Sequence, residues 1–81
     1  MSDTESPIAR VRAIVAEILA MNPGDIDVTA DLFNHYEADS LNLIEIVAQV
    51  EKQYQVVLPQ NGLAQARTVT ALCALLTREA A

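Results

Sequence analysis

Glu37-Ala38-Asp39-Ser40-Leu41-Asn42-Leu43-Ile44-Glu45-Ile46-Val47 decides how this chain folds. It opens with an Asp-Ser pair, a helix-start signal, and runs into an apolar-rich helix expected over about residues 40–54. Either Asp39 or Ser40 can serve as N-cap by accepting from an orphan amide of the first turn. A capping box is not expected, because Asn42 and Leu43 stand where Glu or Gln would complete one. Capping therefore uses one member of the pair and leaves the other over.

The helix carries two apolar rows where a surface helix needs one. Leu43, Ile46, Val47, Val50 and Tyr54 recur at three- and four-residue steps and form the core-facing stripe. Leu41, Ile44 and Ala48 form a second row turned away from the first, bordered by Glu45 and Glu51. Branched side chains beside a serine at a helix start suit a docking face better than a solvated one.

Ala38-Asp39-Ser40-Leu41 followed by this helix resembles the prosthetic-group site of the acyl carrier protein family. The resemblance covers roughly residues 7–79 of the chain. It implies that Ser40 carries 4′-phosphopantetheine, whose thiol holds an acyl group as a thioester. It also implies that Asp39 is the acidic neighbour that helps present the serine. A phosphopantetheinyl transferase, using coenzyme A and a magnesium ion, would install the arm. An acyl-loading enzyme and a ketosynthase or other thioester-processing enzyme would follow as partners. Leu41, Ile44, Glu45, Ala48 and Glu51 are the residues expected to dock them. Typical fatty-acid carriers have glycine where this chain has Glu37, and Asn42 replaces a common acidic residue. Lys52 falls in a usually acidic stretch. These departures point to a dedicated pathway in polyketide, specialised-metabolite or fatty-acid biosynthesis. A peptidyl or aminoacyl carrier of the same fold and an unmodified acidic interaction module remain as alternatives. Asp39 before the serine argues against the peptidyl carrier.

Composition sets the outer bounds. Eighty-one residues, 52% apolar with mean hydropathy +0.22, make one small folded domain with a modest core. No apolar run approaches the ~20 residues of a membrane span. The first residues lack the basic and apolar regions of a signal peptide, so a cytoplasmic protein is expected. Net charge is −6. Asp25, Asp27, Asp31, Glu37, Asp39, Glu45 and Glu51 fall in one stretch without Lys or Arg until Lys52. That disfavours nucleic acid and favours basic protein partners, met by a monomer.

The fold expected is all-α, a bundle of three main helices plus one short helix, with residues 1–5 a flexible N-terminus and 6–80 the carrier domain. Ser6-Pro7 starts the first helix, which carries Val11, Ile14, Val15 and Ile18 and stops near Met21 before Asn22-Pro23-Gly24. Residues 22–39 read as a connection without helical period, pinned by Ile26, Val28 and Leu32. The short helix is expected near 61–66, weakened by Gly62. Thr68 caps a last helix to about Glu79 with Val69, Leu72, Cys73 and Leu76 inward. Leu63, Val69 and Leu72 fit the lining of an acyl chain.

Two patterns imitate other chemistry. Asp25, Asp27, Thr29 and Asp31 follow the start of a calcium-binding loop. Ala30 stands where that loop needs glycine, however, and Tyr36 where it needs a bidentate glutamate. Ser40 lacks the base that a nucleophilic serine requires, since the only histidine, His35, lies in the loop upstream. The chain is therefore not read as an enzyme, nor as a metal protein. The single Cys73 excludes an internal disulfide and reads as a core residue.

Overall fold

The computed structural model describes residues 6–59, 62 and 66–80. Helix α1 spans Pro7–Leu19, α2 Leu32–His35, α3 Ser40–Tyr54 and α4 Val69–Ala80. No strand occurs among the described residues. The three long helices form the bundle, with α1 packed against both α3 and α4. Residues 1–5 and Leu63 lie outside the described residues, as does most of the short helix expected near 61–66. The short helix that is described lies earlier, inside the connection read as having no helical period. That connection also holds a 3-10 turn at Pro23–Asp25.

The core is built from the expected stripes. Val11 and Val15 of α1, Ile46 and Val50 of α3, and Val69, Leu72 and Leu76 of α4 are all buried. Burying side chains of this size contributes roughly 1.5–3 kcal/mol each, which is what holds so small a domain together. Ile18 and Leu43 pack only partly against this cluster, and Ile8 is exposed. Cys73 is buried within α4, and burial pushes its thiol pKa up, away from reactivity. Val69 and Leu72, two of the suggested acyl-lining residues, are part of this core.

Helix ends follow local chemistry. Ser6 caps α1 by accepting from the Ala9 amide at 3.2 Å, with Pro7 at the first helical position. The helix stops at Leu19, before the Pro-Gly pair, because Ala20 turns left-handed at φ 58°. The Met21 amide then reaches back to the Ala16 carbonyl at 2.8 Å, closing the helix end without a glycine. Gln55 ends α3 in the same way at φ 55°, with the Val56 amide bonded to the Glu51 carbonyl. Thr68 caps α4 through the Ala71 amide at 3.0 Å.

The connection between α1 and α3 is fastened along its length. Ile26 and Leu32 are buried, and Val28 packs against the core. The Leu32 amide donates to the Arg67 carbonyl at 2.8 Å, and the Thr70 amide to the Val28 carbonyl at 3.0 Å. The Tyr36 hydroxyl accepts from the Asp27 amide at 2.6 Å and donates to the Asp25 carbonyl at 3.3 Å. Asp31 caps α2 through the Phe33 and Asn34 amides and pairs with Arg67 at 2.7 Å. Arg67 in turn stacks over the Phe33 ring, 4.6 Å from its centroid. A chain segment with so many backbone partners holds its far end, Ala38-Asp39-Ser40, in a defined place.

Candidate functional site: the start of α3

Asp39, not Ser40, is the N-cap of α3. Its backbone is extended (φ −115°, ψ −178°) and its Oδ1 accepts from the Asn42 amide at 2.9 Å. The Asn42 Oδ1 accepts from the Asp39 amide at 3.0 Å, so a capping box is present after all. The usual partner at this position is Glu or Gln, which is why the sequence alone does not signal a capping box here. An asparagine reaches the same amide because the extended cap brings it close.

Ser40 is thereby freed from structural work. It is the first residue of α3, it is exposed, and its hydroxyl makes no hydrogen bond among the described residues. The Asn42 and Leu43 amides are bonded to Asp39, whereas those of Ser40 and Leu41 have no protein acceptor among the described residues. Two open amides and the positive end of the helix dipole beside a free hydroxyl suit a phosphodiester. The residues present therefore fit a phosphopantetheine group.

His35 gives Ser40 no base. It is exposed in α2, with its ring edge-on to Tyr36 at 4.6 Å. Two of the acidic residues that imitate a calcium loop, Asp27 and Asp31, are occupied internally. Asp27 accepts from the Thr29 amide and hydroxyl, bonds that hold its carboxyl below the usual range. Asp31 is held low first by Arg67 and then by the Asn34 amide.

Glu37 turns the chain into this site with φ 58°, a left-handed conformation costing a non-glycine residue roughly 1 kcal/mol. Glycine at this position in typical carriers would adopt it without cost. Sequence alone marked Glu37 as unusual but not as strained.

Along α3 the two rows separate as expected. Leu41 and Ile44 are each 63% exposed and Ala48 is exposed, with Glu45 beside them. Glu51 differs from its expected place as a border charge. Its Oε2 accepts from the Leu58 amide at 2.8 Å, tying the link after α3 to the last turn of the helix. Leu58 is buried by this arrangement, whereas Val57 beside it stands 82% exposed. The spacing of residues in α3 carried no sign of this bond, which joins a helix side chain to a loop amide.

A family model described as a phosphopantetheine attachment site matches residues 9–76. An acyl carrier protein of Rhodococcus erythropolis is 32% identical over 74 residues, covering 91% of this chain and 81% of that protein. A meromycolate extension acyl carrier protein of Mycobacterium leprae is 34% identical over 65 residues, 80% of this chain but 56% of that longer protein. A protein of the same name from Mycolicibacterium smegmatis is 32% identical over 65 residues, with 66% of its length spanned. Proteins of this family carry acyl groups on covalent phosphopantetheine, are not themselves enzymes, and work with a phosphopantetheinyl transferase and acyl-processing enzymes. Matched by the attachment-site model over most of its length and 32% identical to an acyl carrier protein along 91% of its chain, the protein belongs to the acyl carrier protein family.

Proposed function

We propose that Ser40 is the attachment point of phosphopantetheine in this carrier, and that Leu41, Ile44 and Ala48 with Glu45 form the face on which partner enzymes dock. The observation that carries the assignment is the division of labour at the helix start: Asp39 does the capping, and Ser40 is left exposed and unbonded. In the transfer, the Ser40 oxygen forms a bond to the phosphorus bearing pantetheine, while the pyrophosphate bond of coenzyme A breaks. The nucleotide bisphosphate leaves, and the hydroxyl proton passes to a base on the transferase. Once bound, the group supplies a flexible arm with a terminal thiol that holds the acyl chain. What this protein adds is presentation: a fixed helix start, an exposed apolar row and an acidic surround. Docking on so small a face is reversible, and the tether keeps the cargo at high local concentration.

The mycobacterial relatives are named for meromycolate extension, which favours a fatty-acyl cargo and chain-elongating enzymes as partners. Of the partners, the transferase, a loading enzyme and a ketosynthase would each meet the exposed row of α3. The carrier would act in the cytoplasm; no helix among the described residues is long and apolar enough to cross a membrane.

Intact mass after coexpression with a broad phosphopantetheinyl transferase tests the attachment site. Wild type should gain one phosphopantetheine and Ser40→Ala none. Stability should stay within about 0.5 kcal/mol in that variant, because the cap at Asp39 is untouched. A mass gain persisting in Ser40→Ala would refute the assignment.

A further inference from the structure

Three described residues other than glycine have left-handed backbone, and they fall in two kinds of place. Ala20 and Gln55 each end a long helix and lead into a link. Glu37 stands instead between two helices, past the end of α2 and just before the N-cap of α3. Both sides of that turn are anchored. Upstream, Leu32 is buried, its amide donates to the Arg67 carbonyl, and its own carbonyl accepts from the Tyr36 amide at 3.2 Å and the Ala38 amide at 3.1 Å. Downstream, Ala38 is buried and Asp39 is locked to Asn42 by two reciprocal bonds.

Residue 37 is the joint between these anchors. With φ near 58°, the Ala38 amide turns back to Leu32 while Asp39 still meets the first turn of α3. With φ negative, both cannot hold at once, and Ala38, Asp39 and Ser40 would shift together. The Glu37 carboxylate, by contrast, is exposed and makes no hydrogen bond or ion pair among the described residues. The geometry points to residue 37 as a positioning residue for the modification of Ser40, acting through its left-handed backbone and not through its charge. This rests on the reading of Ser40 as the attachment point. Any residue that tolerates φ > 0 should serve, glycine best of all, and β-branched residues should fail.

The test is transfer from coenzyme A by a broad phosphopantetheinyl transferase to wild type, Glu37→Gly, Glu37→Gln and Glu37→Val. Values of kcat and KM are determined separately, with amide ¹H–¹⁵N spectra of each variant. Glu37→Gly and Glu37→Gln should stay within about twofold of wild type in kcat/KM, well inside one decade of barrier change. Glu37→Val should lower kcat on the order of tenfold with KM little changed, since the docking row is intact. Its Ser40 and Leu41 amide signals should move while those of α4 stay. Loss of activity in Glu37→Gln or Glu37→Gly would show that the carboxylate is what matters and overturn the inference. Wild-type kcat in Glu37→Val would overturn it as well. Should Glu37→Val not fold, Glu37→Thr in the same assay decides. Failure of the Ser40 reading looks different: wild type gains no mass, or Ser40→Ala still gains it.

Discussion

Ile44 and Ile46 are the same residue two positions apart on the same helix, yet one is 63% exposed and the other fully buried. At about 100° per residue, two steps carry a side chain to the opposite face of the helix. Ile46 lies in the core cluster, whereas Ile44 shares its exposed face with Leu41 and Ala48. The inner face of α3 holds the domain together, and the outer face costs it some solubility with no return in stability. An apolar row kept outside at that cost is what a reversible docking surface requires. The glutamates of α3 divide similarly: Glu45 stands exposed, whereas Glu51 is bonded to a loop amide.

The sharpest contrast should appear on truncating the two isoleucines. Ile46→Ala should lose about 2–5 kcal/mol, enough to unfold much of a domain this small. Ile44→Ala should change stability by no more than about 0.5 kcal/mol and instead raise KM for partner enzymes. Denaturant titration of the two variants measures this, and comparable losses would erase the distinction between the faces.

A smaller difference is expected between the glutamates. Glu51→Ala strands the Leu58 amide and should cost about 1–2 kcal/mol. Glu45→Lys should leave folding within about 0.5 kcal/mol but slow association with the transferase and flatten its salt dependence. Association rates against ionic strength for wild type and Glu45→Lys decide the second point. Equal slopes would mean that recognition relies on apolar contact alone.

The smallest effect concerns pH and the connection that leads to α3. The Asp31 carboxyl is held below its ordinary value by Arg67 and by the Asn34 amide. A carboxylate whose folded pKa is depressed stabilises above its unfolded value, near 4, and that contribution fades as pH falls through the folded value. Asp31→Asn should therefore flatten the loss of thermal stability below about pH 4 while leaving the slope above pH 5 unchanged. The pair is solvent-exposed, so the shift should be modest. Thermal midpoints between pH 7 and 2 test this, and parallel curves for the two proteins would remove Arg67 and Asp31 from the account.

Helical periodicity made the three long helices legible, since each buries a stripe read from residue spacing alone. Ser6-Pro7, Asp39-Ser40 and Thr68 marked their starts correctly because caps are local chemistry. Helix ends were legible in place but not in geometry: α1 stops just short of Asn22-Pro23-Gly24 and α3 ends at Tyr54 as expected, whereas Ala20 and Gln55 take the left-handed position usually held by glycine. No helical period marks the short α2, because its stability comes from Asp31, Arg67 and the buried Leu32, contacts that span the chain.

By itself the sequence determined the three long helices, the two rows of α3 and the placing of Ser40 at a helix start, for all of these rest on spacing and neighbours. Tertiary structure alone decided that Asp39 caps with Asn42, that Glu37 bends left-handed and that Glu51 holds Leu58. Each of those depends on how the backbone approaches from outside the helix. A side chain's partner then follows from where the fold brings another segment, and no periodicity in its own segment records that.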